Sequence, residues 1–192
     1  MAAAATAVIV AMSGSGVIGG GTASVGSGSG SASKAGGKDA ARKGQHSNAF
    51  RQLKLKNIRK KVQRELHCAR HSFGQVQQFF LSNPCRELDR MLLAAGDEQG
   101  NEIAVSIAWV RMPRVSGATE FQSLVDVDGT GNVSPLGSAV LGLAKIEFTG
   151  RYYDSRRDGA LVVVAEATPI GGRPSEELLH DVADVADEFP AP

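Results

Sequence analysis

Apolar residues recur at Leu55, Ile58, Val62, Leu66, Ala69, Phe73, Val76 and Phe80, in steps of three and four that keep one face of a helix apolar. The spacing predicts an amphipathic helix over 48–81, with Ser47 and Asn48 offering N-cap oxygens and Gly74 as a place to bend. Ser82-Asn83-Pro84 ends that helix and starts a second over 84–95, in which Leu88, Met91, Leu92 and Ala95 share a face and Gly96 caps the end. The period then changes. Ile103, Val105, Ile107 and Trp109 alternate with small or polar residues until Pro113, the pattern of a strand with one buried face. Further strands are expected over 119–127, 139–148 and 160–168, the last two joined by a long hairpin loop over 150–159. No stretch of helix length separates the strands, so the sheet should be mainly antiparallel. Behind Ser175, Leu178, Val182, Val185 and Phe189 give one more helix over 175–189, with Glu176 and Glu177 in its first turn.

The fold class is therefore α+β, with two N-terminal helices, a four-stranded mainly antiparallel sheet and a C-terminal acidic helix. A low-complexity tail over 1–47, rich in Ala, Gly and Ser, precedes a single domain over 48–192. The tail has too few large side chains to offset the entropy of ordering, so disorder is expected there. Its opening apolar run is too short to span a bilayer and lacks the basic flank of a secretory signal, so neither a membrane span nor export is expected.

Charge changes this picture more than composition does. The formal net charge is only +1, yet residues 1–70 hold twelve Lys and Arg against two acidic residues, and 71–192 hold nine against eighteen. A basic arm on an acidic body points to an anionic partner and to salt-dependent behaviour. The expected contacts are Lys54, Lys56, Arg59, Lys60, Lys61 and Arg64. The loop residues Arg151, Tyr152, Tyr153, Arg156 and Arg157 join them, because rings beside guanidiniums can stack bases and hold phosphates. The C-terminal helix carries Glu176, Glu177, Asp181, Asp184, Asp187 and Glu188 with no basic residue after Arg173. It could face solvent, or meet the basic segment within one copy or between two.

Cys68 and Cys85 are too few for a disulfide framework and are expected as two thiols in a reducing, intracellular compartment, with one bridge at most. His67 and His71 flank Cys68 at helical spacing, but no four-ligand zinc set accompanies them, and no metal or cofactor is expected.

One motif resembles a known family. Leu124-Val125-Asp126-Val127-Asp128-Gly129-Thr130 is similar to the first motif of the haloacid dehalogenase phosphatases, an apolar strand ending in Asp-x-Asp-Gly-Thr. The resemblance implies Asp126 as phosphoryl acceptor and Asp128 as general acid/base with magnesium between them, with Thr149 and Lys145 as the nearest imitations of later motifs. It covers seven residues, and only 62 follow Thr130, too few for the several strand and helix units of that core. As a calcium loop the segment has Gly137 where the bidentate Glu belongs, so it reads as a turn.

No other catalytic set emerges, and the expected function is non-enzymatic, sequence-nonspecific binding of nucleic acid, probed best with RNA. In organisation alone the chain resembles small RNA-virus coat or movement proteins. The alternative is a protein-interaction module whose basic segment docks on an acidic partner, and a phosphatase stands third.

Overall fold

A computed structural model describes residues 28–192. In chain order the elements are α1 (Gly28–Arg42), α2 (His46–Gln52), β1 (Lys56–Glu65), α3 (Gly74–Ser82), β2 (Glu87–Gly96), β3 (Glu102–Arg111), α4 (Val115–Val125), β4 (Tyr153–Asp158), β5 (Leu161–Gly171) and α5 (Glu176–Ala186). Short 3-10 turns lie at Cys68–His71 and Ser138–Leu141. The five strands form one sheet in the order β1-β2-β3-β5-β4, and every neighbouring pair is antiparallel.

Helices cover both faces of the sheet, and the alternation along each inner strand divides the core in two. Met91, Leu93, Ile103, Val105, Ile107, Trp109, Val163 and Ala165 point to α1, α2 and α5. Leu88, Ala108, Val110, Val162 and Val164 point to α3 and α4. Trp109 Nε1 donates 2.8 Å to the carbonyl of Phe189, so the one buried indole is satisfied by the chain just beyond α5.

The alternation over 102–111 and the acidic helix are where the pattern predicts them, and Ser175 caps α5 by accepting 3.2 Å from Leu178 N. Elsewhere the elements differ. The helix expected over 48–81 is broken into α2, β1, a 3-10 turn and α3. Asn48 lies inside α2, and Gly74 begins α3 rather than bending a helix. The helix expected over 84–95 is β2. Covered on both faces, β2 needs apolar residues at nearly every position, and Met91-Leu92-Leu93-Ala94-Ala95 does not distinguish a two-sided strand from a buried helix. The strand expected over 119–127 is helix α4, which buries Ala118, Phe121 and Val125 at helical spacing. Residues 139–148 form no strand. Past Glu166, where β4 ends its pairing with β5, the segment meets β5 through Thr168 Oγ1, which donates 3.1 Å to the carbonyl of Glu147, and not through a backbone ladder. β4 arises inside the expected hairpin loop, so the turn to β5 is tight.

The part of the expected tail over 1–27 lies outside the described residues. Over 28–42 the tail is helical as α1, whose four glycines make it a weak helix by propensity. Its order comes from tertiary contacts. Lys34 reaches Asp181 and Asp184 at 3.0 Å, Lys38 pairs with Asp184 and lies 3.8 Å from Glu188, and Arg42 reaches Glu188 at 2.5 Å.

Behind this zipper Asp187 is buried, and its Oδ1 has no hydrogen-bond partner. Burial, with Asp154 and Glu188 nearby, pushes its carboxyl up to about 7, against the pull of Arg156 and Lys38. A carboxyl raised on folding binds its proton more tightly in the native state. Its contribution is therefore complete below the unfolded value near 4 and is lost as pH rises through about 7. Asp187→Asn should flatten that fall, with a gain over wild type at pH 8 of up to roughly 4 kcal/mol that shrinks towards pH 4. Urea midpoints at the two pH values check it; a gain that is the same at both would refute this assignment.

Candidate binding surface

The two groups of expected contact residues lie on opposite edges of the sheet. Lys56, Arg59, Lys60, Lys61 and Arg64 are on β1, with Lys54 just before it at φ 63°. Tyr153, Arg156 and Arg157 are on β4, with Arg151 and Tyr152 just before it. Three strands intervene, so the groups stand about 19 Å apart at ordinary strand spacing.

The β4 group is largely occupied. Arg151 pairs with Glu176 and lies over the Tyr152 ring at 5.5 Å, and Tyr152 packs edge-on to His180. Arg156 donates 3.1 Å to the carbonyl of Asp187 and lies 3.5 Å from Glu188. Tyr153 donates 2.8 Å to Asp126, and burial beside that carboxylate holds its phenol well above the usual range. Arg157 remains exposed, and among the described residues its side chain bonds to the carbonyl of Gly159 at 3.4 Å. Both rings and two of the three guanidiniums are thus engaged with the body of the protein, and Arg157 is left exposed.

On β1 the ends are compensated and the middle is not. Lys56 pairs with Glu98 at one end. Arg64 at the other reaches Asp89 at 2.8 Å, Glu87 at 3.0 Å and the carbonyl of Pro192 at 3.0 Å. Between them, among the described residues, Arg59 meets the carbonyl of Leu141 at 3.5 Å, and Lys60 donates 3.1 Å to His46 Nδ1. Burial, together with Lys60 itself, lowers the His46 pKa, and an imidazole, neutral or cationic, supplies no negative charge to offset the ammonium. Among the described residues no carboxylate lies within ion-pair distance of Arg59, Lys60 or Lys61.

Strand geometry divides these three cations. Lys60, opposite Leu93, is on the side of α1, α2 and α5; Arg59 and Lys61, opposite Ala94 and Leu92, are on the other. The acidic face of α5, a rival partner for the basic segment on sequence grounds, is engaged instead by Lys34, Lys38 and Arg42.

The Asp-x-Asp-Gly-Thr segment closes helix α4, whereas the phosphatase motif stands at a strand end. Asp126 Oδ1 accepts from Tyr153 and, at 2.7 Å, from Ser155 Oγ, which ties α4 to β4. Thr130 Oγ1 bonds the carbonyls of Leu124 and Val127 at 2.8 Å, while its carbonyl accepts from Gln75 and Val76 at the start of α3. Lys145 pairs with Glu147 on the surface. Beside Thr149, Gly150 N donates to the buried Glu166, whose carboxyl burial raises. Phe73, Asp126, Phe148, Tyr153 and Glu166 line a cleft of about 370 Å³ there. Among the described residues no three His, Cys, Asp or Glu side chains are grouped to share a metal ion.

Cys68 and Cys85 are not thiols. They form a disulfide, which conflicts with the expected reducing compartment. The expectation failed because it placed both cysteines on helices, whereas Cys68 begins a 3-10 turn and Cys85 precedes β2, bringing their Cα atoms to 6.0 Å. Among the described residues no helix is long and apolar enough to cross a membrane.

No family model, curated protein or solved structure matches the chain.

Proposed function

We propose that the protein is a non-enzymatic interaction module that binds an anionic partner along β1, and that this partner is an acidic protein. The observation that carries the reading is the run Arg59-Lys60-Lys61, uncompensated by carboxylates and alternating across an edge strand. Association through such a surface is fast and weakens with salt.

Nucleic acid is the second reading, favoured by the same cations with Lys54 exposed beside them. A phosphate chain gains most where cations converge on one surface, and here they diverge. Engaging all three would give a log–log salt slope of only about −2 for a single strand. Titrating the oxidised protein with polyglutamate and with single-stranded RNA between low and physiological salt separates the two. Polyglutamate should bind more tightly at each salt concentration. Arg59→Ala/Lys60→Ala/Lys61→Ala should weaken it at least tenfold at low salt, whereas Arg157→Ala changes it less than twofold. Tighter binding of RNA than of polyglutamate would transfer the surface to nucleic acid, and no binding of either would remove the reading altogether.

A further inference from the structure

We infer that β1 takes its acidic partner as a sixth strand, an extended segment hydrogen-bonded along the open edge; this rests on the reading of β1 as an anion-binding surface. Among the described residues β1 pairs with β2 alone, and the pairing is regular from Arg59 to Glu65. On its outer side β1 makes no backbone hydrogen bond to any other described segment. A strand edge of this kind presents alternate N–H and C=O groups that a second extended chain can satisfy.

The charge pattern selects what that chain must be. In a paired strand successive side chains alternate between the faces in step with β1, so three consecutive carboxylates meet Arg59, Lys60 and Lys61, one opposite each. A helix or a phosphate chain resting on one face meets one or two of them. Beyond Lys61 stands Val62, 37% exposed, which asks for an apolar residue opposite it. Arg64 already holds Asp89 and Glu87, which limits the demand for carboxylates to the stretch before Val62.

The same pattern rejects other occupants. A second copy of β1 laid antiparallel would set cations against cations, which is destabilising when they stand directly opposite. The other edge strand offers Tyr153-Asp154-Ser155-Arg156-Arg157-Asp158, which carries two cations of its own. The fitting occupant is therefore an extended segment of another protein, with three adjacent acidic residues beside an apolar one.

The probe is a short synthetic peptide of valine followed by three consecutive glutamates, flanked by threonines, which laid antiparallel sets the valine opposite Val62 and the glutamates opposite Lys61, Lys60 and Arg59; it is titrated into the intact oxidised protein. Two further peptides carry N-methyl groups on alternate amides, one in each register. Strand addition predicts that one register weakens binding by roughly three- to tenfold per blocked bond while the other stays within about twofold. The parent peptide should also slow amide exchange at alternate residues of 59–63. Equal affinities for the two methylated peptides, or an exchange pattern without alternation, would overturn strand addition while leaving β1 as an acidic-partner surface. Absence of binding by the parent peptide, with polyglutamate also inert, would remove that underlying reading instead.

Discussion

Gly131→Ala is expected to destabilise the protein by about 2–6 kcal/mol, the sum of backbone strain at positive φ and overpacking. Gly131 sits at φ 98°, where a Cβ would lie 2.2 Å from the carbonyl oxygen of Phe73 and 2.9 Å from Gly74 Cα. Gly74, at φ 65°, faces it across the crossing, and its own Cβ would come within 2.6 Å of the Thr130 carbonyl. Here the turn after α4 passes against the start of α3. Phe73 N donates 3.0 Å to Asn132, and Gln75 N donates 2.7 Å to Thr130. These bonds satisfy amides at the N-terminus of α3 that have no intrahelical partner. Backbone on both sides leaves no flexible side chain to yield.

Gly100→Ala serves as the control, because Gly100 has φ 82° with open space around its Cβ. It should cost only about 1–2 kcal/mol. Urea unfolding of both variants checks the difference, and equal losses would mean that the crossing is looser than its contacts indicate. The result also bears on the Asp-Gly-Thr-Gly run, since a large loss would assign those residues to holding α3 in place.

Opening the Cys68–Cys85 bridge is expected to cost about 3 kcal/mol, given the 17-residue separation it spans. For a chain of this size that corresponds to a fall of roughly 6–12 °C in Tm. The bridge encloses α3, and Cys68 is buried in the cluster of Val76, Phe80, Leu88 and Phe121, so reduction frees the segment that packs under α4. Calorimetry with and without reductant measures the loss. The Cys68→Ala/Cys85→Ala variant should melt near the reduced wild type and ignore reductant. A wild-type Tm unmoved by full reduction would show that packing alone holds α3. The bridge contributes this stability only where thiols are oxidised.

Where the sequence was legible, one side of an element did the deciding. β3 shows its apolar face as Ile103, Val105, Ile107 and Trp109, and α5 shows both its stripe and its Ser175 cap. β2 was illegible because it is buried on both sides, which erases the alternation that marks a strand. β1 was illegible for the opposite reason. As an edge strand it buries little, and the few apolar residues of its face, Ile58 and Val62, stand four apart, which matches a helix turn as well as a doubled strand step. Over 144–148 Ala144, Ile146 and Phe148 alternate with Lys145 and Glu147, yet among the described residues the segment meets β5 through the Thr168 side chain and not through a backbone ladder.

The candidate surface divides in the same way. Sequence alone determined that the chain has a basic first part and an acidic second, that its last helix carries the acid, and that 54–64 concentrates cations. Only the tertiary structure decided which cations remain free. Arg42 lies 146 residues from Glu188, yet their side chains meet, so α5 is neutralised by α1 and not by β1. Charge is a property of each residue and is read directly, whereas compensation is a property of pairs that the sheet order brings together. That order placed the basic segment, expected as a helix and found as β1, and the expected Arg–Tyr loop on opposite edges and left Arg59, Lys60 and Lys61 without a carboxylate among the described residues.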